Sequence, residues 1–404
     1  MKILISGAGI AGLSLAYWLK RYGFEPTIVE RAPELLVGGY KLDMRGSALD
    51  VLRRMGVYDQ MASKNTNMQN ALLVDKEGKT IEEMDGESFG HRSGDDLEVV
   101  REGICRIFHE NIHGVEIWFD EVIEDLEQSE SGVDVTFKNR KNEHFDLVVG
   151  ADGLHSKVRE IVFGEEKRFL HDLGLYLCVF NAPNYLGLKN QEMQFTEIGR
   201  VAQAWSTGDN RKVKLCFAFV SEDGEIPLKD PPAHLRHLNK AFEGLDWVTS
   251  DMLAHQPHGE EYYFDKAAQV KMDHFCKGRV ALVGDAGYCA SPLSGQGTSL
   301  AIIGAYVLAG ELAKAGGDHR RGFQSYEKEL KPFIQTNQRL GQQASDRMTT
   351  QGSFISVLTG KIMQTVLNRA PGKVVQWMIH LSSKQIQRAA RSIEIKDYTA
   401  ATKS

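Results

Sequence analysis

The sequence predicts an α/β fold: a strand–helix–strand unit, interleaved with β-rich stretches and closed by C-terminal helices. Three observations predict it. Residues 2–6 (KILIS), 11–22 and 26–30 (PTIVE) read as strand, helix and strand, and their tight spacing favours a parallel pair. Two later stretches, 115–149 and 173–272, carry short strands separated by turn residues. From Gly295 onward the pattern is mostly helical to near the end of the chain.

In chain order, residues 47–55 form a short amphipathic helix and 101–112 another. Strands follow at 122–126, 133–138 and 144–149, parted by Ser131-Gly132 and by residues 139–142. In the second β-rich stretch LYLCVF, RVAQAW and KLCFAFV are the clearest strands, and YYFDKAAQVKM is the last. Asp230-Pro231-Pro232 breaks it ahead of a charged helical stretch. Residues 279–283 (RVALV) return to a buried-strand pattern. Segments 354–363 and 374–386 read as amphipathic helices, with Val375, Met378, Ile379 and Ile386 near helical spacing. The expected division is therefore discontinuous. Residues 1–172 and 273–343 form the first, α/β unit, 173–272 a β-rich unit, and 344–404 a C-terminal helical segment.

The chain has 404 residues, 48 basic and 54 acidic, for a net charge of −6. That balance argues against a protein held to nucleic acid by phosphate neutralisation, but not against a nucleotide bound by backbone amides. Cys105, Cys178, Cys216, Cys276 and Cys289 stand far apart without a CxxC pair. A disulfide framework or structural zinc is not expected, and a reducing, cytoplasmic setting is. The apolar N-terminus is interrupted by Gly7, Gly9 and Gly12, and no small-residue cleavage site closes it, so a signal peptide is a poor reading. No segment nears ~18 unbroken apolar residues, so no membrane span is expected.

Gly7-Ala8-Gly9-Ile10-Ala11-Gly12 is a GxGxxG between strand and helix. The first glycine permits the tight turn, the second lets a pyrophosphate approach the backbone, and the third lets helix pack on strand. Phosphate then sits at a helix N-terminus. Glu30 ends the second strand, where a carboxylate accepts hydrogen bonds from ribose hydroxyls. The same acid disfavours a 2′-phosphate, so this motif leaves FAD and NAD as alternatives.

Two further motifs decide for FAD. One is Gly150-Ala151-Asp152-Gly153, continuing through Ser156 to Arg159. The other is Gly284-Asp285-Ala286, continuing through Pro292 to Gly295-Gln296-Gly297. An aspartate at a strand end can hold a flexible polyol, and Pro292 with the glycines lets a flat ring lie against backbone. The amides opening the next helix can stabilise negative charge on a reduced ring.

Together the three motifs resemble the class A flavoprotein monooxygenases, the p-hydroxybenzoate hydroxylase-like group. The resemblance implies a Rossmann-like GR2-type FAD-binding domain interleaved with a β-sheet substrate-binding domain. It assigns Gly7, Gly9 and Gly12 to the FAD pyrophosphate, Glu30 to the adenosine ribose and Arg31 to the adenine side. It places Arg101 and Asp152 against FAD, Asp285 at the ribityl or pyrophosphate region, and Pro292, Gly295, Gln296 and Gly297 along the isoalloxazine. It implies NADPH or NADH as a transient reductant, and O2 converted on reduced flavin to a C4a-hydroperoxide that hydroxylates the substrate. No residue is assigned as a catalytic acid or base, and no metal or nucleophilic triad is expected. His255 and His258 read as surface residues.

The stretches GGYKLDMRGSALDVLRRMGVYD, ESFGHRSGDDLEVVRE, NAPNYLGL, YYFDKAAQVKM and GDAGYCASPLSGQGTSLA resemble one branch more closely, the tetracycline-inactivating flavin monooxygenases or tetracycline destructases. There Asp43 matches a cofactor-contacting position, Arg45 is a candidate neighbour of the flavin, and Arg200 falls near a substrate-contacting arginine. A terminal helix that borders the pocket is implied by the same resemblance. The expected function is therefore hydroxylation and inactivation of tetracyclines by a monomeric cytoplasmic enzyme, with no nucleic-acid or membrane partner. The alternatives are the same chemistry on another aromatic or polycyclic metabolite, a related flavin reductase, and a non-catalytic flavin-binding regulator. The flavin-halogenase signature W-x-W-x-I-P is absent.

Overall fold

The computed structural model describes residues 1–35, 39–206, 210–221, 223–245, 249–256, 262–349 and 372–398. Ile3, Leu4 and Ile5 of β1 (Lys2–Ser6) have no exposed surface, as an inner strand of a sheet covered on both faces requires. The chain enters α1 (Ile10–Arg21) and returns as β2 (Glu25–Val29), which pairs in parallel with β1 from Lys2↔Glu25 to Ser6↔Val29. Next come β3 (Lys41–Met44), α2 (Ser47–Met55), α3 (Tyr58–Ala62) and the hairpin of β4 (Asn70–Val74) with β5 (Thr80–Asp85). After α4 (Gly86–Phe89), β6 (Leu97–Val100) pairs antiparallel with β3. Helix α5 (Arg101–Glu110) leads to β7 (Glu116–Trp118).

Strands β8 (Ile123–Gln128), β9 (Val133–Phe137) and β10 (Glu143–Phe145) form a three-stranded meander, and β11 (Leu147–Gly150) pairs in parallel with β1. The single strand expected at 144–149 is thus two strands in two sheets. Asp146 makes the break. Its N–H donates to the Lys2 carbonyl (2.9 Å), and its carboxylate accepts the Lys2 N–H (2.6 Å).

After α6 (Lys157–Phe163) comes β12 (Leu170–Pro183), bulged between Asp172 and Tyr176. Strands β13 (Gln191–Glu197), β14 (Arg200–Trp205) and β15 (Lys212–Phe219) follow. Helix α7 (Pro231–Ala241) starts where Asp230 accepts the Ala233 N–H and the two prolines fill the first turn. Beyond α8 (Thr249–Ala254), β16 (Tyr263–Val270) returns to β12. Then β17 (Cys276–Lys277) and β18 (Val280–Leu282) complete the first sheet, in the order β17-β18-β11-β1-β2-β7. Last come α9 (Asp285–Tyr288), α10 (Gly297–Lys314), α11 (His319–Met348) and α12 (Gly372–Ala390). Segment 354–363 lies outside the described residues. Helix α10 is buried from Thr298 to Leu312, packed on α1, α2 and α11, which is why its sequence is apolar all round.

The second large sheet has seven strands, in the order β16-β12-β15-β14-β13-β4-β5. It draws on residues 70–85 as well as the 170–270 stretch. β4 pairs in parallel with β13, a non-local pairing that local alternation does not reveal. One face buries Phe180, Phe195, Ala202, Ala204, Leu215, Phe217 and Phe219 against Leu238 and Phe242. The two-residue period sends Glu192, Gln203, Cys216 and Leu177 to the other face. That face meets β3 through Glu192 and the 293 loop and α11 through Leu177 and its neighbours. No helix among the described residues is long and apolar enough to cross a membrane.

Candidate active site

The glycine loop lies where β1 ends. A Cβ on Gly7 (φ +107°) would sit 2.6 Å from the Ala151 carbonyl oxygen, and one on Gly12 would sit 1.9 Å from that of Gly7. Only glycine allows β1, β11 and α1 to converge this closely. Glu30 closes the loop, its two oxygens accepting the Ala8 (2.7 Å) and Ala32 (2.9 Å) N–H groups. Arg31 is exposed beside it.

Arg101 opens α5 and is half-buried, its N–H donating to the Tyr40 carbonyl (3.1 Å). Its guanidinium comes 3.9 Å from where a Gly9 Cβ would be. The same guanidinium acts on Asp285, the first residue of α9. Asp285 is exposed. Desolvation raises its carboxyl above the usual range, while Cys289 and Arg101 pull it down. The rings of Tyr40 and Tyr263 stand 5.9 Å apart beside it.

Asp152 reaches this place with its backbone rather than its carboxylate. Its side chain accepts from Ser156 Oγ (2.5 Å) and from the N–H groups of Lys157 (2.8 Å) and Val158 (3.1 Å), so it caps α6. The neighbouring His155 spans Glu166 (3.0 Å) and Asp265 (3.1 Å), joining the two sheets.

The segment from Ser291 to Gly297 forms the next wall. Ser291 is held at φ +75° and Gly295 in the left-handed region. Gln296 is fully buried, yet neither side-chain oxygen nor nitrogen has a partner among the described residues. A Cβ on Gly297 would meet nothing within 4 Å. An orphaned buried amide beside open space, at the start of a long helix, fits a flat, polar-edged group such as FAD's ring system. Arg45 fixes this loop. It is 3 % exposed, donates to the carbonyls of Gly295 (2.9 Å) and Gly90 (2.5 Å), and pairs with Asp43 (2.8 Å).

A cavity of about 330 Å³ adjoins the loop. Its lining includes the apolar Pro292, Leu293, Leu340, Ala344 and Ile386 of α12, interspersed with Gln343, Arg347, Ser382 and Gln385. The cavity also borders a buried chain of ion pairs. Glu192 meets Lys41 (2.5 Å), Lys41 meets Glu98 (3.2 Å), Glu98 meets Arg92 (2.7 Å), and Arg92 meets Asp43 (3.4 Å). Through Arg45 this chain reaches the Gly295 carbonyl. Desolvation raises Asp43, with Arg45 opposing it, and lowers what Lys41 would otherwise gain from Glu192 and Glu98. His91 lines the same cavity at φ +54°, its Nδ1 against Ser383 Oγ (2.8 Å). Burial, then Arg45 and Arg92, hold it neutral, with a pKa near about 4. A wider cleft of about 690 Å³ lies elsewhere, between the β8–β9 turn, the β17 segment and α11.

The structure thus links Glu30 to the glycine loop and Arg101 to both Gly9 and Asp285, and it sets Asp43, Arg45, Pro292 and Gly295 around one cavity. It does not bring Arg200 there. Arg200 pairs with Glu197 (2.7 Å) and donates to the Ala241 carbonyl (3.0 Å), which puts it against α7 on the other side of the sheet. His255 bonds the Asp251 carbonyl and stacks on Tyr185, while His258 lies outside the described residues. Sequence reasoning missed Lys41, Arg92, Glu98, Glu192 and Gln203. The alternating KLDMR of β3 carried a signal for Lys41, but the others needed the pairing of distant strands. No group of three or more metal-ligating side chains occurs among the described residues.

Comparison with known proteins places these features in context. The family described as "FAD binding domain" matches residues 1–340. A flavin-dependent monooxygenase from an unknown prokaryotic organism is 42 % identical over 340 residues, covering 84 % of this chain and 88 % of its own length. Another, from Legionella longbeachae, is 39 % identical over 341 residues, covering 84 % and 88 %. The crystal structure of tetracycline destructase Tet(55) superposes with a TM-score of 0.87 at 36 % identity, covering 98 % of each chain.

Proposed function

The chain belongs to the class A FAD-dependent monooxygenases, which use NAD(P)H and O2, and from that premise we propose that it hydroxylates tetracyclines. The observation that carries the reading is α12. The FAD-domain match ends at residue 340. The likeness to Tet(55) runs over 98 % of the chain, so it takes in most of the helix whose Ser382, Gln385 and Ile386 line the cavity. That cavity is lined by both apolar and charged side chains, which suits a flat ring system with an oxygen-rich edge.

When bound, FAD supplies the redox chemistry: acceptance of reducing equivalents, activation of O2 and oxygen transfer. The chain supplies the rest. In this reading Gly7, Gly9 and Gly12 bring backbone amides to the pyrophosphate, and Glu30 and Arg31 hold the adenosine end. Arg101 and Asp285 hold the ribityl and phosphate region. Pro292 and Gly295 to Gly297 line the ring, with Arg45 and Asp43 keeping that loop in place. Asp152 acts indirectly, by fixing the turn that Gly7 packs against. Helix α12, tied down by Ser383 to His91 and by Gln387 to Asp96, covers the substrate and excludes water.

The test is NADPH oxidation by purified FAD-loaded enzyme, with and without tetracycline, alongside loss of the drug's absorbance. Coupled acceleration of both, abolished without O2, supports the reading. NADPH loss with the drug untouched sinks it. A second reading, the same chemistry on a smaller aromatic or polycyclic compound, is favoured by the cavity volume of about 330 Å³, near the lower end for drug-sized ligands.

A further inference from the structure

Glu192 lines the substrate cavity with 1 % of its surface exposed. Its Oε2 accepts from Lys41 Nζ (2.5 Å) and Gln203 Nε2 (2.9 Å). Its Oε1 has no partner among the described residues. A carboxylate oxygen shut away from water without a donor is destabilising unless something fills the vacancy.

Three of the cations around Glu192 are already committed, and the exposed Arg347, which also lines the cavity, makes no ion pair with it. Lys41 is shared between Glu192 and Glu98 and lies 5.6 Å from the centre of the Trp205 ring. Arg92 is spent on Glu98, Glu87, Asp43 and the Gly86 carbonyl. Arg45 gives its two terminal nitrogens to Asp43 and the carbonyls of Gly295 and Gly90, and its Nε makes no bond to Glu192. Burial raises the Glu192 carboxyl, and Lys41 opposes it. The remaining acceptor site is therefore open to a group that arrives from the cavity, whose lining also includes Pro292, Leu293, Leu340 and Ile386.

We propose that Glu192 determines substrate specificity: its Oε1 accepts a hydrogen bond from an enol, phenol or amide donor on one edge of a flat substrate. This rests on the reading that a flat oxygenated ring system occupies the cavity, and not on that ring system being a tetracycline. Compounds of the same shape without an edge donor would leave the acceptor unfilled and be discriminated against.

The experiment is binding without turnover. Oxidised FAD-loaded wild type, Glu192→Leu and Glu192→Gln are titrated with 2-hydroxyanthraquinone, anthraquinone and tetracycline, following ligand and flavin fluorescence. FAD content and Tm report folding. Wild type should favour 2-hydroxyanthraquinone over anthraquinone, and Glu192→Leu should weaken the hydroxylated probe about tenfold or more while changing anthraquinone less than about threefold. If the leucine variant fails to fold, Glu192→Gln decides: a loss of about threefold or more for the hydroxylated probe alone supports the assignment. Equal losses for both probes, or none, overturn it, since a packing role or a resident water predicts no discrimination. Wild type that shows the expected pattern but ignores tetracycline removes the drug reading and leaves Glu192 standing. Wild type that binds neither hydroxylated probe nor drug overturns the Glu192 assignment.

Discussion

Replacing His155 with glutamine should weaken the link between the two sheets in a pH-dependent way. His155 follows the Asp152-Gly153 turn, with Nε2 3.1 Å from Asp265 of β16 and Nδ1 3.0 Å from Glu166. The hydrogen bond to Asp265, its charge, and the Glu166 carboxylate together raise the imidazole pKa from 6.5 to about 9, against desolvation. At about 1.4 kcal/mol per pH unit that gap would be worth about 3 kcal/mol if unscreened. The side chain is 40 % exposed, and solvent screening reduces the figure to about 1 kcal/mol. The folded-state pKa is raised, so the contribution is fully present below pH 6.5 and disappears as pH rises through about 9. Urea unfolding of wild type and His155→Gln at pH 6 and pH 10 tests this. The stability gap should be about 1 kcal/mol at pH 6 and close to zero at pH 10. A gap that is constant with pH, or that grows with pH, would refute the reasoning.

Three further outcomes are expected. Asp285→Ala should lower FAD retention through dialysis, and a variant that keeps full cofactor would contradict its role. Tyr398→Phe removes the donor at 2.8 Å from Glu311, which is 4 % exposed. It should cost about 1–2 kcal/mol in denaturant unfolding, and an unchanged midpoint would mean that Lys396, 3.6 Å away, already satisfies that carboxylate. His91→Asn keeps a residue that tolerates φ +54°. Because His91 titrates near about 4, the pH profile of substrate binding from 5 to 8 should match wild type. An ionisation near pH 6 that vanishes in the variant would show His91 to be charged in that range.

What the sequence determined by itself is local in character. The glycine loop, the acid at Glu30, the strand-end Asp285 and the Pro292–Gly297 turn could be read because each is a short motif whose chemistry fixes its own geometry. The α/β order was legible for the same reason, since β1, α1 and β2 are near neighbours in the chain. The tertiary structure decided everything that depends on distant pairing. β4 joins β13, so residues 70–85 enlarge the second sheet. Residues 144–149 split at Asp146 because Lys2 supplies its partners. Asp152 is taken up by α6, which no motif announces. Arg200 turns toward α7 because a strand's two-residue period leaves one face or the other, and only the packed sheet says which. The charged wall is the clearest case. Lys41, Arg92, Glu98 and Glu192 are ordinary surface-type residues in sequence, and only burial between two sheets turns them into a linked chain of ion pairs beside the cavity.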